Sequence, residues 1–202
     1  MKLRYDIEQN TDEWLDIKLG KFSASIAADL LMDKKTKGYT NLINKIVEER
    51  MTGNQSESKT FKGNQFTERG HEFEPIARND YELRYLEVVD IIGVVELDDW
   101  VLCSPDGLIG EKGLWQTKCP IFNTQKEYLK TQKVPTNYYK QMQFELFVSG
   151  REFNVFYSYH PYLPPVKIIL QRDNVMIYEI EQRLEQAKTE VLNEIEILKS
   201  YE

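Results

Sequence analysis

Cysteine and histidine are scarce in this chain, two of each among 202 residues, and no CxxC pair occurs. A zinc site built from Cys and His therefore lacks ligands, and any metal has to be held by oxygen. Cys103 and Cys119 are too few for a disulfide framework, and without a secretory leader both are expected to be reduced and buried. No run of about 18 apolar residues exists, and the N-terminus MKLRYDIEQNTDEW has no apolar core. Neither membrane spanning nor secretion is expected, which places the chain in the cytoplasm. A positive excess is missing as well. With 26 Lys and Arg against 33 Asp and Glu, the net charge of −7 excludes a protein that coats nucleic acid through many phosphate contacts. Basic groups are nevertheless concentrated locally, as Lys34, Lys35 and Lys37 in DKKTKGY and as Lys126, Lys130, Lys133 and Lys140 in QKEYLKTQKVPTNYYKQ. Each cluster reads equally well as a contact surface or as a solvated lysine face.

Repeats, low-complexity tracts and Pro/Ser-rich linkers are also lacking, so a single domain over residues 1–202 is expected. What is present alternates between two periods. TDEWLDIKLG reads as a short helix with Thr11 as N-cap, SASIAADLLM as a second capped by Ser23 or Ser25, and YTNLINKIVEERM as a third with Leu42, Ile43, Ile46 and Val47 on one side. Residues 65–86 form a fourth helical region that Pro75 should kink or restart. EVVDIIGVVEL, WVLCSPDGLIG and GLWQTKCP are short β-branched and aromatic runs, read as three sequential strands in a mostly antiparallel meander. Helices return in NTQKEYLK and PTNYYKQMQFELFVSG, strands in EFNVFYSYH and PVKIILQR, and a last helix over 174–199 carries the stripe Ile177, Ile180, Leu184, Ala187, Val191, Ile195 and Leu198. This order predicts an α/β fold with a central mixed β-sheet flanked by helices on both faces.

The chemistry concentrates in CSPDGLIGEKGLWQTKCP, Cys103 to Pro120. Asp106 occupies a Pro-Asp-Gly turn between two strands, and on the following strand Gln116 and Lys118 share one face while Thr117 and Cys119 take the other. Gln116 and Lys118 can therefore both point toward Asp106, the Thr117 carbonyl can add an oxygen ligand, and Glu74 can approach from the preceding helix. Hydrolysis of a phosphodiester needs an activated water and compensation of charge on the phosphorus. A divalent metal held by carboxylates and a nearby lysine supply both. By spacing alone the pattern is equally that of a turn-forming aspartate and an edge lysine.

The wider pattern is more specific. SPDG…QTKCP resembles the SPDG…ExKCP signature of the phage λ exonuclease-like, YqaJ-type viral recombinase nucleases, a branch of the PD-(D/E)xK superfamily. EWLDIKLGKFSAS, RGHEFEPIAR and YYKQMQFELFV are similar to further blocks of the same family in the same order. The resemblance implies a restriction-endonuclease-like core and a Mg²⁺-dependent enzyme, Mn²⁺ being an alternative. It also implies 5′-to-3′ digestion of double-stranded DNA from its ends, leaving a 3′ single strand for an annealing protein. Carried over by position, Asp106 is the metal-binding aspartate, Lys118 the catalytic lysine and Glu74 the helical acid near the metals. Gln116 and the Thr117 carbonyl complete the metal set. Ser25, Ser104, Gln141 and Gln143 fall at positions near DNA or its 5′ phosphate. Lys18 stands where the family usually has arginine, so charge is kept and the bidentate fork is lost. Relatives form rings, which implies a homo-oligomer, a trimer by preference, in a bacterial cytoplasm and encoded by a phage or prophage.

The departure is Gln116, where the family carries glutamate. Carboxamide keeps the shape and one acceptor but removes a negative charge. An engineered Glu-to-Gln change and a native glutamine, in an active or an inactive chain, both account for it, so a nuclease-dead DNA-end-binding protein stands beside the exonuclease; an endonuclease of the same superfamily is a further alternative from the same fold. His71 and His160 are read as surface or packing histidines, and the pairs Tyr138/Tyr139 and Phe156/Tyr157 as packing aromatics.

Overall fold

A computed structural model describes residues 1–57 and 65–201, apart from the side chains at 65–68 and 71. The expectation for His71 thus lies outside the described residues.

Helix α1 (Asp12–Ile17) starts as its sequence predicts, with Thr11 Oγ1 accepting from Trp14 N at 3.3 Å. The second helix shrinks to a 3₁₀ turn (Ala24–Ile26) and the single-turn α2 (Ala27–Leu30), with no side-chain cap from Ser23. Helix α3 (Lys37–Thr52) buries Leu42, Ile43, Ile46 and Val47, the expected side. Helix α4 (Gln65–Tyr85) runs unbroken through Pro75. The proline lacks only a donor, and the turns on either side hold the helix together.

The strands depart from the expected meander. Strands β3 (Val94–Glu96) and β4 (Val101–Cys103) pair antiparallel. Strand β1 (Lys2–Arg4), which the periodicity does not reveal, joins β3, and β2 (Phe22–Ser23) runs parallel to β4. A second mixed sheet holds β5 (Gly107–Ile109), β6 (Gly113–Lys118), β7 (Phe153–His160) and β8 (Leu163–Gln171), in that order. The single central sheet of the sequence reading is therefore two four-stranded sheets, and the run from Val101 to Ile109 crosses between them at Ser104–Asp106. Proline explains the crossing. With Gly107 opposite Trp115, Pro105 falls opposite Thr117. The Pro105 carbonyl is taken by Gln9 Nε2 at 2.9 Å. Thr117 N, left without a strand partner, donates instead to Asp106 Oδ2 at 2.7 Å.

Alternation along β6 and β7 then separates the layers. Trp115, Val155 and Tyr157 pack against Ala77 and Tyr81 of α4. On the opposite face lies α6 (Thr136–Ser149), which follows α5 (Phe122–Thr131) and touches strands of both sheets. Its second half is buried all round, from Met142 to Leu146 and again at Val148 and Ser149. The closing helix α7 (Asn174–Lys199), capped by Asp173, buries Ile177 through Val191 of its stripe, whereas Leu198 runs out to solvent. Cys103 is buried as expected, Cys119 is only half-buried, and neither is in a disulfide.

Candidate active site

The crossing between the sheets brings the chemistry together. Asp106 hangs at the seam, and its Oδ2 accepts from Thr117 N and from Gln116 Nε2, the latter at 2.5 Å. Its Oδ1 receives no hydrogen bond from the described residues. Gln116 is buried on the α6 face of β6, whereas Glu74 reaches the seam from α4 on the other face. Lys118, at the end of β6, holds its ammonium 5.2 Å from the centre of the Tyr138 ring.

Two cavities meet at Asp106 and Lys118. The larger, about 500 Å³, is lined by Glu74, Thr117 and Cys119 on one side and by Ile121, Tyr128 and Tyr138 on the other. The smaller, about 180 Å³, is walled by Trp14, Lys18, Ser25, Ser104, Gln116 and Gln141. Trp14 organises that wall. Its indole N–H donates to Ser104 Oγ at 2.9 Å, and the Lys18 ammonium lies 3.4 Å above its ring. Ser25 Oγ is 3.0 Å from Ser23 Oγ.

Three acids crowd the seam, and burial favours the protonated form of each. Burial, and then the neighbouring Asp106 carboxylate, pushes the Glu74 carboxyl up to about 7, against the pull of Lys118 and Arg78. Burial also raises Asp106, although Lys118 and the Thr117 N–H favour its anion. A third acid stands behind them. Glu145 on α6 is fully buried, and burial pushes it up to about 7. It accepts from Gln141 Nε2 at 2.9 Å and from Asn154 Nδ2 at 2.8 Å. The same Gln141 nitrogen is 3.4 Å from Gln116 Oε1.

Most of the residues singled out from sequence thus border one locus: Asp106, Gln116, Thr117, Lys118 and Glu74, with Lys18, Ser25, Ser104 and Gln141 around the smaller cavity. Gln143 does not. It is buried on the far side of α6, donating to Gln171 O and accepting from Asp173 N, both at 2.9 Å. Two positions along a helix turn a side chain by about 200°, so a neighbour at i+2 cannot share the face of Gln141. Two residues were missed. Tyr138 lines the cleft rather than the core. Glu145, an acid inside the apolar run FELFV and one turn beyond Gln141, carried a readable signal in that spacing.

The comparisons bear on this geometry. Residues 13–152 match the YqaJ-like viral recombinase domain. The chain belongs to that family. The crystal structure of an alkaline exonuclease from Laribacter hongkongensis is similar over 95% of this chain and 97% of its own, with 35% identity and a TM-score of 0.85. The same exonuclease in complex with dAMP gives a TM-score of 0.86 at 34% identity, covering 95% of this chain and 97% of that one. A phage-related exonuclease from Haemophilus somnus 129PT, 16% identical, covers 90% of this chain and 96% of its own with a TM-score of 0.66, and shares the fold. No curated protein matches the sequence significantly. The fold of this YqaJ family member is the PD-(D/E)xK type expected from the sequence, and the chain is an alkaline-exonuclease-like nuclease. Among the described residues no helix is long and apolar enough to cross a membrane.

Proposed function

We propose that the chain is a Mg²⁺-dependent exonuclease that digests one strand of double-stranded DNA from its 5′ end and leaves a 3′ tail for an annealing protein. The observation that carries this reading is the junction of two cavities of unequal size at Asp106 and Lys118. A scissile phosphate at that junction has the terminal nucleotide, with its 5′ phosphate, on one side and the rest of the strand on the other. Lys18, Ser25 and Ser104 offer a cation and two hydroxyls to the 5′ phosphate in the smaller cavity. Tyr138 and Tyr128 give the larger cleft an apolar wall for a base or sugar. The relative that binds dAMP supports a mononucleotide product.

The donor set fits a hard divalent cation. Burial raises the proton affinity of both Asp106 and Glu74, Asp106 adds to the rise at Glu74, and Asp106 Oδ1 accepts no hydrogen bond from the described residues. No cluster of three His, Cys, Asp or Glu close enough to hold a metal occurs among the described residues. Asp106, Glu74, the Thr117 carbonyl and the Gln116 amide oxygen are the available donors, and Mg²⁺ retains waters, so a small protein set suffices; Mn²⁺ accepts the same oxygens. Such a cation supplies an activated water and charge compensation. Lys118 contributes a fixed positive charge beside the developing phosphorane and can orient the attacking water. A homo-oligomeric ring, a trimer by preference, reconciles an acidic protein with a DNA substrate by placing acids outside and lysines along the passage.

The Gln116 amide favours a second reading, a chain that binds DNA ends without cutting them, because Gln116 Nε2 occupies an oxygen of the would-be metal ligand Asp106. One assay separates the two. Linear duplex with Mg²⁺ should be shortened from its 5′ ends while closed circles are spared, and Gln116→Glu should raise the rate on the order of 100-fold. If neither form degrades linear DNA over a range of pH and metals, the enzyme reading fails; if circles are cut, the chain is an endonuclease.

A further inference from the structure

The unused group of the site is Glu145. Its carboxylate has no contact with solvent, yet it lines the smaller cavity together with Asp106, Gln116 and Lys118. A buried anion is retained only where something stabilises it or needs it. Its partners are two amide N–H groups, from Gln141 and Asn154, and no cation lies within ion-pair distance among the described residues. An acid so placed is a poor stabiliser of the fold.

Its position in a chain of amides gives it a use. The side chains run Glu145 Oε1 to Gln141 Nε2, Gln141 Nε2 to Gln116 Oε1, and Gln116 Nε2 to Asp106 Oδ2. Gln116 can turn its oxygen toward a cation at Asp106 only if something else accepts its N–H. Gln141 can do so by presenting its own oxygen, provided its nitrogen stays on Glu145. Both amides then align with their N–H ends toward the buried carboxylate and their carbonyl ends toward the cation position. An amide in the first ring of ligands and an anion at the far end of an aligned pair together provide the negative potential that a carboxylate at 116 would give directly.

We infer that Glu145 is a positioning residue that offsets the missing charge at position 116, fixing the direction of the Gln141–Gln116 amide chain so that Gln116 offers its oxygen to a divalent cation. This rests on the nuclease reading above but is separable from it. An acid behind the ligand layer governs affinity on the scale of 10- to 100-fold.

The test is calorimetric titration of Mn²⁺ into DNA-free protein, with thermal unfolding as a check on folding. Glu145→Gln keeps the volume and removes the charge. In the Gln116 chain it should weaken Mn²⁺ binding at least 10-fold. In a Gln116→Glu chain, where position 116 carries its own charge, the same change should cost less than about 3-fold. Gln141→Leu, which breaks the relay and leaves both acids in place, should reproduce the loss in the Gln116 chain. A merely structural Glu145 would show equal effects in both backgrounds, and that result overturns the proposal. So does Mn²⁺ binding only after Gln116→Glu, which leaves the nuclease reading standing. If neither background binds Mn²⁺, the nuclease reading falls and this inference falls with it.

Discussion

At the scale of single residues, Trp14 is the clearest case of a side chain whose two ends do different work. The ring carries the Lys18 ammonium, and the indole N–H holds Ser104, two residues before Asp106. Cation–π attraction at a partly exposed site contributes about 0.5–2 kcal/mol and orients the lysine more than it binds anything. Lys18→Ala should therefore lose about 10-fold in preference for a 5′-phosphorylated over a 5′-hydroxyl end, the scale of a charge-assisted hydrogen bond. Trp14→Phe, which keeps a ring under Lys18 but releases Ser104, should lose only a few-fold. Affinity for the two kinds of end, measured with a cation that does not support cutting, checks both. Equal affinities in the parent chain would remove Lys18 and Trp14 from phosphate recognition altogether.

Among the elements, α6 holds the site to the rest of the fold. One face carries Tyr138, Gln141 and Glu145 toward the cavities, and the far side carries Gln143 into the β8–α7 connection, where it bonds Gln171 O and Asp173 N. Gln143→Leu should destabilise the protein by about 1–3 kcal/mol, since two part-buried backbone groups lose their partners, and should leave affinity for DNA ends unchanged. Chemical denaturation alongside end binding reads both; weaker end binding without loss of stability would restore Gln143 to the DNA-facing set. That residue also marks where the sequence is legible. Alternation along β6 placed Gln116 and Lys118 together because a strand has period 2 whatever it packs against, and helix period 3.6 placed Leu42, Ile43, Ile46 and Val47 correctly. What the sequence concealed depends on distant partners. Strand β1 has only three residues and exists because β3 offers an edge. The break of the meander into two sheets follows from Gln9 taking the Pro105 carbonyl, a contact across 96 positions. Apolar periodicity assigns Glu145 no face because its helix is buried nearly all round, and only its spacing one turn beyond Gln141 points to the site.

Over the whole molecule, the three raised acids make stability depend on pH in a direction opposite to that of ordinary ion-paired carboxylates. Glu74 and Glu145 are pushed up to about 7 and Asp106 is raised as well, while the unfolded chain titrates near 4. Between those limits the folded state holds more protons than the unfolded one. The contribution of these groups is therefore complete below about pH 4 and is lost as pH rises toward 7. Asp173 and Glu87 run the other way, held low by Tyr139 and Tyr81 respectively, so their contribution disappears only in acid. Stability in chelator should consequently peak in the mildly acidic range and decline toward pH 8, where a divalent cation favours the ionised site and raises the melting temperature again. General repulsion from a net charge of −7 also weakens the fold at higher pH, but it is spread over the surface. Glu145→Gln and Glu74→Gln each remove a buried group and should flatten the decline, whereas neutralising an exposed acid such as Glu111 should not. Melting curves from pH 5 to 8.5 in chelator decide between the two causes. A decline that persists undiminished in both glutamine variants would mean that these acids release their protons without cost to the fold.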